Sequence, residues 1–187
     1  MIKGKDIIVV GIQAWDIEIG SNCKNIALEF SKNNRVLYVN PPMTRSVMRE
    51  QKHKETIQKR IRIKNGAEDD LVEISQNLWN LYPKTLVESI NWIPIHTIFK
   101  TLNKKNAIGY VNDIKSAVSK LDFKNVIIFN DSSMFLGAYL KELLNAELYV
   151  YYIRDNLITQ DYFKKHGVKL EEKTIESADL VVSNSTY

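Results

Sequence analysis

Residues 6–12 (DIIVVGI) form, after the opening Asp6, an unbroken apolar run of strand length. Such a run, lacking the alternation of a half-wet strand, is the pattern of a parallel strand covered on both faces. The next thirty residues continue that architecture. After a loop at 13–20, Ser21 is placed to cap a helix whose apolar positions Cys23, Ile26, Ala27 and Phe30 follow i, i+3, i+4, i+7. A second strand at 35–39 ends at Asn40-Pro41-Pro42, so the first forty residues read β-α-β.

From 43 to about 65 periodicity gives way to charge, which predicts a loop with some helix. Two short strand-like pieces, 71–74 and 78–82, stop at Pro83. Residues 86–104 read as a helix that Pro94 kinks or splits, and a clearer helix carries Val111, Ile114, Val118 and Leu121. The opening rhythm then returns: strand 125–130, a helix from Ser133 with Leu136, Leu140 and Leu143, strand 148–153, helix 170–178 and strand 179–183. At least five strands with helical crossovers predict a mostly parallel sheet wound by right-handed connections. The expected fold is a single Rossmann-like α/β domain over residues 1–187, with helices on both faces and no internal repeat or linker.

The chain's 44% hydrophobic content suffices for a sizeable core in 187 residues. There is no apolar run of about 18 residues, and the first residues run into a strand without signal-peptide zoning. A cytoplasmic location is the expectation. Cys23, the single cysteine, has no disulfide partner within the chain and no neighbour for a zinc cluster, and is expected to be a buried small hydrophobe. Charge is concentrated: residues 44–64 hold Arg45, Arg49, Lys52, Lys54, Lys59, Arg60, Arg62 and Lys64 against Glu50 and Glu55, a net +6 in a chain of +4. The stretch from Arg45 to Lys64 reads as a solvated helix or loop, or as a surface for an anionic membrane, nucleic acid or a phosphorylated substrate.

In an open parallel sheet, ligands bind at the carboxyl ends of the strands, where strand order reverses. Those ends are 11–22, 40–42, 130–133, 154–156 and 184–186. A nicotinamide site would need G-x-G-x-x-G and an acid ending the second strand, whereas Gly11 and Gly20 stand nine apart and the strand ends in Asn40-Pro41. A phosphate loop would need a lysine before Ser21, and Gly20 precedes it directly. No cofactor is expected. The loop from Trp15 through Asp16 to Gly20, followed by Ser21 and Asn22, leads into a helix N-terminus that favours an anion or hydroxyl oxygen. It reads equally as a tight turn and an ordinary cap, with Trp15 packed as a hydrophobe.

The opening segments 8–16 (IVVGIQAWD), 19–22 (IGSN) and 34–42 (NRVLYVNPP), with 151–155 (YYIRD) and 175–185 (IESADLVVSNS), resemble the N-terminal half of bacterial GT-B glycosyltransferases of cell-surface polysaccharide synthesis, the teichuronic acid type. The likeness is patchy between 43 and 106. It implies an acceptor-binding domain, a separate donor-binding domain beyond Tyr187, a nucleotide-sugar as donor substrate, and little turnover from this half alone. It also implies a lipid-linked or polysaccharide acceptor at the inner membrane face.

Glycosyl transfer requires that an acceptor hydroxyl be oriented or deprotonated. Asp131, Asp155 and then Asp16 stand at strand ends as candidates, and Arg154 is placed to hold a phosphate or neutralise Asp155. Each aspartate also reads as a loop cap or ion-pair partner. His53 and His96 read as structural or solvated, while His166, at a helix junction after the Arg154 loop, is a candidate cleft residue. Trp15 is the aromatic best placed to stack on a sugar, and Trp79, Trp92, Tyr149, Tyr151 and Tyr152 read as core or partner-facing. The rival reading is a non-catalytic binding module on the same sheet. No nucleic-acid motif accompanies the basic stretch, so no nucleic-acid partner is expected.

Overall fold

The computed structural model describes residues 2–17 and 20–184. The expected opening unit is present: β1 (Asp6–Gly11), α1 (Asn22–Ser31) and β2 (Arg35–Val39). The basic stretch follows a two-residue strand β3 (Met43–Thr44) and forms two helices, α2 (Arg45–Glu50) and α3 (Glu55–Lys64). Thr44 caps α2 through its hydroxyl, which accepts from the Val47 N–H at 3.1 Å. Next come β4 (Leu71–Ser75), β5 (Leu78–Leu81) and β6 (Leu86–Val87), the last paired with β3. The remaining elements are α4 (His96–Lys120), β7 (Ile127–Asp131), α5 (Met134–Gly137), α6 (Leu140–Leu144), β8 (Leu148–Ile153), α7 (Asp161–Lys164), α8 (Gly167–Ser177) and β9 (Leu180–Ser183).

The main sheet runs β4-β5-β2-β1-β7-β8-β9, with every pair parallel except the antiparallel edge strand β4. Numbered among themselves, the six parallel strands stand in the order 3-2-1-4-5-6, the doubly wound Rossmann arrangement, with strand order reversing between β1 and β7. Both sheet faces are apolar, as the unbroken runs predict. Ile7, Val9, Val36, Tyr38 and Phe129 pack on Cys23 and Ala27 of α1. Ile8, Val10, Leu37, Val39 and Ile128 pack on Tyr110, Val111 and Ile114 of α4 and Leu140 of α6. Gly11 is required by this packing: a Cβ there would stand 2.7 Å from the Cys23 Sγ.

Two helix expectations are corrected. Residues 86–104 are not one helix: 88–95 is irregular, and α4 starts after Pro94 and runs 25 residues through the segment expected as a separate helix. Pro94 lacks an N–H and disfavours helical backbone at the residue before it. The irregular segment is instead held by α4, whose Asn106 side chain takes the Glu88 N–H and C=O, both at 3.0 Å. The helix from Ser133 is likewise two pieces, because the Gly137 carbonyl accepts from the Tyr149 hydroxyl at 2.9 Å. A third, subsidiary core of Ile90, Ile93, Phe99, Tyr139 and Leu170 lies beneath the 88–95 segment.

Candidate functional site

The reversal of strand order opens a cleft of about 240 Å³ at the carboxyl ends of β1, β2 and β7. Gly11 and Ile12 leave β1 at its floor, Pro41 and Pro42 leave β2, and Ser132 and Ser133 leave β7. Tyr110 of α4, Phe135 of α5 and the Tyr162-Phe163 pair of α7 supply aromatic walls, and 87–91 closes the outer side. The Asn91 Oδ1 is buried there without a hydrogen-bond partner, while its amide N–H₂ is used on the Tyr162 carbonyl. The cleft is an apolar and aromatic slot edged by serine hydroxyls, the Asn103 and Asn106 amides and Glu88, suited to a partly apolar ligand that carries hydroxyl groups.

Ser132 has φ +57°, in the left-handed region that side chains other than Gly, Asn and Asp rarely occupy. It is held there because its N–H and hydroxyl both donate to the Tyr152 carbonyl, at 3.0 and 3.3 Å, and its Oγ accepts from the Arg154 N–H at 3.2 Å. Its hydroxyl also interacts with the buried Asp131 carboxyl, and its bonds to the 152 and 154 backbone hold it as a positioning group. Ser132→Gly should leave the thermal midpoint within a few degrees, since relief of backbone strain offsets the lost hydroxyl. Ser132→Ala keeps the strain and should cost about 1–2 kcal/mol by urea titration.

Asp131, Arg154 and Asp155 come together as one cluster. Asp131 is fully buried on the α1 face of the sheet, and its Oδ2 accepts from the Arg154 Nη1 at 3.0 Å. Arg154 also donates from Nε to Asp155 at 3.0 Å, and Asp155 is exposed. Burial raises the Asp131 carboxyl above its ordinary value, against the opposing pull of the Arg154 charge. Beside it, burial and then the Asp131 charge push the Cys23 thiol up to about 12, so Cys23 is the inert, buried group expected of it. Arg154 and Asp155 border a second hollow of about 250 Å³ with Asn156 and Glu171.

Trp15 and Asp16 form a separate group. The Trp15 N–H donates to the Asn40 Oδ1 at 2.6 Å, and its ring meets Tyr38 edge-on. The Tyr82 hydroxyl points at Asp16 at 3.5 Å and accepts from the Lys59 ammonium at 3.0 Å. Ser21 caps α1, with Gly20 exposed before it and Asn22 the first helical residue; residues 18 and 19 of that loop, and 185 and 186 after β9, lie outside the described residues. His166 is buried, stacked on Phe99 at 3.7 Å, and donates through Nε2 to the Ile93 carbonyl at 2.8 Å. None of the nine residues singled out from sequence lines the switch-point cleft. Ser132, Ser133, Phe135 and Asn91 do, and only the strand ending at 130–133 signalled the first two.

The basic stretch divides in two on folding. The Arg60 Nη2 donates to the Pro41 carbonyl at 2.8 Å, its Nε is buried without a partner, and burial holds its pKa down. Arg62 pairs with Glu55 and Glu68. Arg49, Lys52 and Lys64 instead surround an open groove of about 600 Å³ floored by Met48 and Ile61. Charge reversal at Arg60 would therefore test the fold rather than a surface.

Among the described residues no group of acids, histidines and cysteine is arranged to hold a metal ion, and no helix is long and apolar enough to cross a membrane. No protein-family model and no curated protein matches this chain.

Proposed function

We propose that this chain is the acceptor-binding domain of a glycosyltransferase that moves a sugar from a nucleotide-sugar donor onto a lipid-linked or polysaccharide acceptor, the donor site belonging to a second domain. The observation that carries the reading is the cleft at the reversal of strand order, with aromatic walls, the serines Ser89, Ser132 and Ser133 and the amides of Asn103 and Asn106. Aromatic faces suit the C–H faces of sugars and an apolar lipid stem, and the hydroxyl and amide groups suit sugar hydroxyls. The absence of a glycine-rich phosphate loop after β1 agrees with a domain that takes the acceptor rather than the nucleotide.

A transferase also needs a group that orients or deprotonates the acceptor hydroxyl. Of the two strand-end aspartates only Asp155 is open to solvent, since Asp131 is sealed beneath the Arg154 guanidinium, but Asp155 borders the separate hollow with Asn156 and Glu171, so its carboxylate would serve an acceptor that extends past the cleft toward that hollow. In this reading the groove of Arg49, Lys52 and Lys64 adds positive charge that draws the domain toward an anionic membrane, each cation near such a surface contributing about 1 kcal/mol.

Ligand-observed NMR on the chain with short oligosaccharides, polyprenyl-phosphate-linked sugars and nucleotide-sugars tests the reading. An acceptor-class glycan should bind, nucleotide-sugars should not, and Ser133→Phe should abolish binding by filling the cleft without changing the thermal midpoint. Binding of nucleotide-sugars alone, or glycan binding that survives Ser133→Phe, would overturn it.

A further inference from the structure

Four large, exposed apolar side chains cluster beside the mouth of the cleft. Trp92 is 74% exposed, Tyr162 62%, Ile95 56% and Ile98 47%. They form one surface: the Asn91 side chain donates to the Tyr162 carbonyl, the Lys165 ammonium donates to the Trp92 carbonyl at 2.7 Å, and Ile98 lies one helical turn after Ile95. Asn91 and Tyr162 are themselves cleft residues, so the patch continues the cleft's outer wall.

The patch is apolar at its centre and carries cations beside it. Lys165 reaches the Trp92 carbonyl and Lys100 and Lys169 flank His96, next to Ile95, while Lys104 is paired with Glu142 and Lys105 borders a separate hollow. Lys169 and Lys100 lie close enough to His96 that their charges add to burial in lowering its pKa. A protruding tryptophan and tyrosine with isoleucines, flanked by lysines, has the composition that partitions into the headgroup zone of a bilayer. Lysines flanking an apolar tip complement anionic lipid more closely than a neutral apolar partner.

We propose that the surface of Trp92, Ile95, Ile98 and Tyr162, with Lys100, Lys165 and Lys169 beside it, seats this domain in the interface of an anionic phospholipid bilayer with the cleft mouth at lipid level. The idea deepens the acceptor reading by giving a lipid-linked acceptor a direct route into the cleft, but it is measured without any acceptor. The seat is distinct from the α2–α3 groove, which lacks exposed aromatic residues.

The chain is titrated with vesicles of phosphatidylcholine and phosphatidylglycerol in equal parts, and with pure phosphatidylcholine, following tryptophan emission and co-sedimentation. Trp15 and Trp79 are half-buried, so a blue shift on binding reports Trp92. We expect binding to the mixed vesicles with a blue shift, weakened by salt. Trp92→Ser with Ile95→Ser should lower partitioning ~10-fold or more, and Trp92→Phe should restore most of it. These positions are exposed, and an unchanged thermal midpoint confirms that the variants fold. Four results would overturn the proposal: no binding, equal binding to neutral vesicles, binding lost in Lys52→Glu with Lys64→Glu but kept in the serine variant, or self-association of the free chain that the serine variant abolishes. Failure here with glycan binding intact leaves the acceptor reading standing.

Discussion

Arg154→Met is expected to destabilise the domain by about 3–5 kcal/mol, because it strands the Asp131 carboxylate in the protein interior without its counter-ion. Asp155→Asn, at the other end of the same guanidinium, should change stability by about 1 kcal/mol or less, since that carboxylate faces solvent. The penalty should depend on pH in a defined direction. Burial raises the folded-state pKa of Asp131, so the folded chain holds that proton more tightly than the unfolded chain. The stability it contributes is therefore present in acid and declines as pH rises from the ordinary carboxylate value through the raised folded value. Removing the Arg154 charge raises the carboxyl further and widens that window upward. Urea titrations in mild acid and at neutral pH should show the smaller Arg154→Met penalty in acid. The double variant Arg154→Met with Asp131→Leu should recover most of the loss, as replacement of a whole buried pair does. A pH-independent loss, or no recovery in the double variant, would show that Arg154 matters through packing alone.

Asn130→Ala should cost about 3–4 kcal/mol and remove the cleft with it. The Asn130 side chain is fully buried and completes a closed set of hydrogen bonds. Its Nδ2 donates to the Tyr149 hydroxyl at 2.7 Å and the Ser133 carbonyl at 3.2 Å, and its Oδ1 accepts from the Ser133 N–H at 3.0 Å. The Tyr149 hydroxyl in turn donates a hydrogen bond to the Gly137 carbonyl at 2.9 Å. Alanine would leave the Ser133 N–H and a Tyr149 lone pair unpaired in the interior, and each such group carries a desolvation penalty. Gly137→Ala attacks the same set from the helix side, because a Cβ there would overlap the Asn130 amide. Its expected cost is about 1–3 kcal/mol from overpacking. Since α5 forms the Phe135 wall of the cleft, both variants should lose ligand binding before they lose the sheet. Amide hydrogen exchange makes the distinction: protection should fall across α5 and the end of β7 while β1 and β2 stay protected. Uniform loss of protection would mean that the network supports the whole fold rather than this corner.

The sheet was legible in the chain because its strands are nearly all-apolar runs, and such runs have one stable location, between two helical layers. The limits of β2 and β8 were readable to the residue, and the Ser21 cap from its place before an i, i+3, i+4, i+7 pattern. The helix boundaries at 86–104 and 133–143 were not legible. In both, the deciding partners are distant in sequence: Asn106 holds Glu88, and the Tyr149 hydroxyl takes the Gly137 carbonyl. Local periodicity registers neither bond.

The site follows the same division. Strand carboxyl ends can be located in sequence, and the clustering of Asp131, Arg154 and Asp155 follows from β7 and β8 being neighbours. Which side of the sheet each residue occupies is set by strand parity and crossover, and this puts Asp131 on the α1 face while the cleft opens toward α4 and α5. The basic stretch looked like one uniform surface, yet folding buried Arg60 on the Pro41 carbonyl and tied Arg62 to two glutamates. Local apolar patterning was enough to dictate the layers and their alternation, because hydrophobic burial acts on short apolar runs wherever they pair. Which polar groups are sealed, which are paired and which line a cleft was settled only on folding, because hydrogen bonds and ion pairs depend on a few ångströms between residues far apart in the chain.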